Sequence, residues 1–127
     1  MSNLAENKLD LIDNSIKDIG DLLDDGLIIT NRNGFIVSAN DASREFLGKN
    51  LINQNITTFI KSKEFINSVS KKFNENVDKE FFYQMDDVLK RSLSIRIKKL
   101  SNELIVILLL DMTLQRNLEK VRRDFVA

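Results

Sequence analysis

The side chains best able to do chemistry in this chain are its carboxylates, and their spacing argues against catalysis. Asp24-Asp25 and Asp86-Asp87 are adjacent pairs in expected loops. Neighbouring residues on a strand or helix point apart, whereas an acid–base pair needs two carboxyl groups facing one reacting atom. The 127 residues include no histidine and no cysteine. That removes the commonest general base and metal ligand, thiolate nucleophiles, disulfides and cysteine metal sites. Gly34 and Gly48 stand alone, so there is no glycine-rich phosphate loop. Lys61, Lys63, Lys71 and Lys72 read as a solvated face. No catalytic and no metal-binding residues are assigned.

Lys plus Arg and Asp plus Glu both number 19, so the formal charge is zero and no nucleic-acid partner is expected. The length suits one compact domain, and 43% hydrophobic content can fill its core. No apolar stretch approaches the ~20 residues that cross a bilayer. The first residues lack a signal-peptide pattern. The expectation is a domain suited to a reducing cytoplasm.

The elements follow from periodicity. Leu9, Ile12, Ile16, Ile19 and Leu23 are spaced three, four, three, four, which predicts an amphipathic helix over residues 1–23. It either lies on its own domain or pairs with a second copy. Residues 27–30 and 35–39 predict a hairpin around Asn33-Gly34. Asn40 is placed to cap a short helix carrying Ala42, Phe46 and Leu47, with Gly48 as its stop. Ile56, Phe59 and Ile60 suggest another turn. Ser62 opens a helix whose inner face is Phe65, Ile66, Val69 and Phe73.

Residues 79–85 alternate, with Phe81, Tyr83 and Met85 on one face and Phe82 on the other, where it needs a cover. Asp86-Asp87 begins a linker. Residues 92–99 alternate again, with Leu93, Ile95 and Ile97 inward and Ser94, Arg96 and Lys98 outward. The seven-residue apolar run 104–110 predicts a central strand covered on both faces. Asp111-Met112-Thr113 breaks it. Thr113 can cap the helix that follows, and Asp111 can take backbone N–H groups or pair with Arg116. Leu114, Leu118, Val121 and Phe125 then mark an outgoing helix over residues 114–127. The whole predicts an α+β fold: a five-stranded antiparallel sheet with short helices across one face, flanked by amphipathic helices.

Over residues 24–113 this order resembles a PAS domain. The resemblance is carried by the Asn33-Gly34 hairpin, by Ser38-Ala39-Asn40 with Ala42 following, and by the closing Asp-x-Thr at Asp111 and Thr113. The tail from Leu118 through Arg122-Arg123-Asp124-Phe125-Val126-Ala127 resembles the lead into the phosphoacceptor helix of sensor histidine kinases. With Asp24-Asp25-Gly26, it resembles the phosphate-regulon sensor kinases.

The resemblance implies a non-enzymatic fragment of a kinase, cut before the phosphorylated histidine, whose parent is anchored in the inner membrane. It implies a homodimer joined through Leu9, Ile12, Ile16, Ile19, Leu23 and Phe82. Asp111, Thr113, Leu114, Leu118, Val121 and Phe125 are expected to carry a signal into the kinase dimerisation domain, with a response regulator downstream. No cofactor is expected. A histidine-ligated haem and a cysteinyl flavin lack their attachment residues, while FAD or a small metabolite stays open. Phe59, Phe65, Val69, Tyr83 and Ile95 are the candidate pocket, or else plain core. A ligand receptor and a constitutive dimerising scaffold are the alternatives to a transmitter.

Overall fold

The computed structural model describes residues 19–20, 23–71 and 78–126. Five strands, β1 (Gly26–Asn31), β2 (Ile36–Ala39), β3 (Asp78–Gln84), β4 (Ser92–Lys99) and β5 (Leu104–Asp111), form one sheet in the order β2-β1-β5-β4-β3. Every pairing is antiparallel. Between β2 and β3 the chain forms α1 (Asp41–Leu47), a 3-10 turn at Ile56–Thr58 and α2 (Lys63–Lys71). After β5 it continues as α3 (Thr113–Val126).

The apolar run lies at the centre of the sheet, between β1 and β4, as its composition requires. Its core-facing residues Ile105, Ile107 and Leu109 are buried, while Val106, Leu108 and Leu110 on the opposite face are half-buried. Covering is therefore tighter on one face than the other. One rung of the inner face runs Phe81, Ile95, Leu109, Gly26, and the next runs Ile97, Ile107, Ile28, Ala39. Leu51, Ile56, Ile60, Phe65 and Val69 close over this face from the helical side. Phe65 meets Phe81 edge to face, with ring centroids 6.2 Å apart and planes at 87°.

The hairpin turn depends on Gly34, whose φ of +91° places it in the left-handed region. A β-carbon there would also stand 3.0 Å from Asn55 Oδ1 and 3.3 Å from Val69 Cγ1. Ile56 N–H donates to the Gly34 carbonyl at 2.9 Å, which ties the 3-10 turn to the hairpin.

Three sequence expectations need correction here. Leu23 is not helical: its N–H donates to the Gly20 carbonyl at 3.0 Å, and the helical residues described are Ile19 and Gly20. Ser94 sits on the outward face yet is buried, because its hydroxyl donates to Glu80 Oε1 at 2.8 Å from the neighbouring strand. The segment after β3 is a clipped loop and not a linker. Met85 N–H donates to the Arg91 carbonyl at 2.8 Å, and the Arg91 guanidinium meets Asp87 Oδ2 at 3.2 Å and stacks over Phe46 at 5.1 Å. Burial alone raises the Asp87 carboxyl, but hydrogen bonds and charge from Arg91, with the Lys90 N–H, outweigh it and hold the group below its ordinary value.

Among the described residues one buried side-chain polar atom is unsatisfied. Thr30 is fully buried on the inner face, level with Ile36 and Ile105, and its Oγ1 has no hydrogen-bond partner. Thr30→Val keeps the shape and removes the stranded hydroxyl. It is expected to stabilise the fold by about 1 kcal/mol, read as a higher urea midpoint at unchanged slope.

Candidate functional site

The candidate site is the end of the sheet where the chain enters and leaves. Gly26, the first residue of β1, pairs with Leu109, two residues before Asp111 at the end of β5. Incoming and outgoing segments therefore meet on neighbouring strands.

The exit is a three-residue joint. Asp111 Oδ1 accepts the Thr113 N–H at 3.0 Å and also the Thr113 hydroxyl. The same hydroxyl oxygen accepts the Ser92 N–H at 2.9 Å. Met112 N–H donates to the Ser92 carbonyl at 2.8 Å, so β4 grips the chain on both sides of the break. Arg116 N–H donates to the Met112 carbonyl at 3.0 Å, the first helical bond of α3. Thr113 is thus the first residue of the helix and not its cap. The expected Asp111–Arg116 pair gives way to a different contact: the Arg116 guanidinium lies over the Phe82 ring, 5.8 Å from its centroid.

Phe82 projects from the outer face of β3 and is 64% exposed. On the outgoing helix Leu114, Leu118 and Val121 form an exposed apolar stripe. Ile19 and Leu23 are exposed as well. Leu9, Ile12 and Ile16 lie outside the described residues, as does the side chain of Phe125.

The entrance centres on Asn40. Its Oδ1 accepts Leu27 N–H at 2.8 Å and Ser43 N–H at 3.0 Å. Its Nδ2 donates to the carbonyls of Gly20 and Asp25, both at 2.8 Å. The expected cap of α1 is present, but it uses only half of the side chain. The other half could not be read from the cap position alone. A glycine at position 20, inside an otherwise apolar-periodic segment, was the available signal for a close contact.

The five candidate pocket residues come together. Phe65, Val69 and Ile95 are fully buried in one core cluster, and Phe59 and Tyr83 pack against its edge. Among the described residues no group of three or more acidic side chains is placed to hold a metal ion. No helix among them is long and apolar enough to cross a membrane.

No family model matches the sequence. No curated protein matches it either. Solved structures do, and they are PAS domains. The PAS domain of BvgS from Bordetella pertussis matches with a TM-score of 0.67 at 12% identity, over 93% of this chain and 98% of that one. The PAS domain of the Cronobacter turicensis quorum-sensing receptor RpfR, in complex with C12:0, matches at 0.61 and 21% identity, over 72% and 96%. The photoactive yellow protein domain of the sensor histidine kinase Ppr from Rhodospirillum centenum matches at 0.61 and 16%, over 75% and 92%. The chain has the PAS fold.

Proposed function

We propose that this chain is the cytoplasmic PAS module of a two-component sensor histidine kinase, of a kind similar to the phosphate-regulon kinases. It dimerises and passes a conformational state through α3 to control autophosphorylation. The parent is membrane-anchored and serves a response regulator. The observation that carries this reading is the exit joint. Asp111, Thr113 and Ser92 fix the start of α3 to the sheet, and the stripe Leu114, Leu118, Val121 leaves the domain without a partner among the described residues. A second copy of the chain is its natural cover, because residues spaced four and three apart form a two-helix seam.

Leu118→Asp tests this in two settings. The 127-residue chain, of 14.6 kDa, is expected to run as a dimer in native mass spectrometry, and the variant as a folded monomer that still unfolds in one cooperative transition. In the intact kinase the variant is expected to change autophosphorylation several-fold. A variant that dimerises and signals as the parent does overturns the proposal.

One observation supports a receptor as the second reading. The stranded Thr30 hydroxyl lies on the inner face of the sheet, and RpfR, of the same fold, holds a twelve-carbon acyl ligand. Extra mass retained in the native spectrum and released on denaturation favours it; a bare chain disfavours it.

A further inference from the structure

We infer that Asn40 is a latch that ties the chain arriving from the N-terminal side to the PAS core, separately from its work as the cap of α1. An asparagine amide offers two N–H donors and an oxygen that accepts two bonds. At Asn40 all four are used, in a side chain that is 2% exposed. A helix cap needs only the oxygen, which here serves Ser43 and also Leu27 at the start of β1. The two donors have no part in capping. They reach back 20 and 15 residues, to the carbonyls of Gly20 and Asp25.

A second feature points to the same joint. A β-carbon at Gly20 would stand 2.9 Å from Asn40 Cβ and 3.5 Å from Leu27 Cδ2. The first distance is too short for two carbons, so the backbone at position 20 approaches Asn40 as only glycine permits. Ile19 and Gly20 are helical, so the latched carbonyl belongs to a helical residue. A displacement arriving from upstream is therefore handed to Leu27 on β1 and to Ser43 on α1 through one buried amide. Opposite Leu27 on the neighbouring strand stands Leu108, three residues before Asp111. If the domain is the signalling module proposed above, on which this role rests, the input enters here as a mechanical displacement of the upstream chain. No ligand in the core is needed.

Asn40→Asp separates the latch from the cap. The carboxylate keeps two acceptor oxygens for Leu27 and Ser43, but faces the Gly20 and Asp25 carbonyls with no proton to give. Amide hydrogen exchange of the 127-residue chain, followed by NMR, reads the result. The Leu23 amide, which donates to Gly20, is expected to exchange at least about tenfold faster, while Ser43 and the β4 and β5 amides keep their protection. Gly20→Ala opens the joint from the other side with the amide intact, and is expected to give the same local pattern. It decides the matter if Asn40→Asp does not fold.

Two results overturn the inference. One is unchanged exchange at Leu23 in both variants. The other is an equal loss of protection at Leu23, Ser43 and the sheet, which would make Asn40 an ordinary structural residue. Neither readout involves a kinase. A failed latch therefore shows in the isolated chain, whereas a failed signalling reading shows in the intact kinase, where a released latch leaves autophosphorylation unchanged.

Discussion

Replacing Phe65 with alanine is expected to cost about 3–5 kcal/mol, the largest loss of any single substitution considered for this domain. Phe65 has no exposed surface, and its ring contacts Phe81 edge to face across the layer between α2 and β3. Around it Ile95, Leu109, Val69 and Ile60 are equally buried. Ile95 and Leu109 are held by the sheet, Val69 by α2, and Ile60 by its N–H bond to the Ile56 carbonyl at 3.1 Å, so none collapses far into the gap. The loss is read from denaturant unfolding, as a lower midpoint with an unchanged slope. The size of the effect also separates two meanings of the same residue. A ring that packs against its neighbours gives the full cavity cost. A ring that lines a ligand cavity already has space beside it, so its removal loses mainly the transfer term and costs less than that range in the unliganded chain. A loss of several kcal/mol therefore supports a packed core and weighs against the receptor reading. A small one favours it.

The sequence made this core legible because the sheet obeys simple periods. Alternation in β4 placed Leu93, Ile95 and Ile97 on one face, and all three are buried. The unbroken apolar run became the central strand because both of its edges are paired. What escaped the sequence were contacts between residues far apart in the chain. Ser94 looks solvent-facing by period alone, and only pairing with β3 brings Glu80 to its hydroxyl. Arg91 is one of seven arginines in the sequence, and no local pattern sets it apart. Only the folded loop sets it between Asp87 and the Phe46 ring. Asn40 was visible as a cap because capping is local, within three residues; its donors act over 15 and 20. Asp111 and Thr113 were found by motif, but the acceptor role of Thr113 toward Ser92 crosses 21 residues and two strands. Local pattern thus located the exit joint, and long-range geometry fixed its contacts.

That geometry makes Thr113→Val the second large effect. Valine matches threonine in shape, but it removes a donor to Asp111 and the acceptor of the Ser92 N–H. Taking the acceptor from this part-buried backbone N–H costs about 1 kcal/mol. The cost falls where α3 meets the sheet and not in the core. Thr113→Ser keeps the hydroxyl and loses one methyl group, and is expected to stay within about 1 kcal/mol of the parent chain. The pair therefore isolates the hydroxyl. In the isolated chain the measurement is exchange at the Ser92 amide, faster in the valine variant and unchanged in the serine variant. On the proposed reading, in which the domain controls a kinase through a joint with two packings a few kcal/mol apart, such a loss is expected to change autophosphorylation several-fold, since every ~1.4 kcal/mol is tenfold in an equilibrium. Serine is expected to reverse it. If valine weakens the joint but leaves autophosphorylation and its regulation at the parent level, the Asp111–Thr113–Ser92 contacts hold the helix in place and transmit nothing through it.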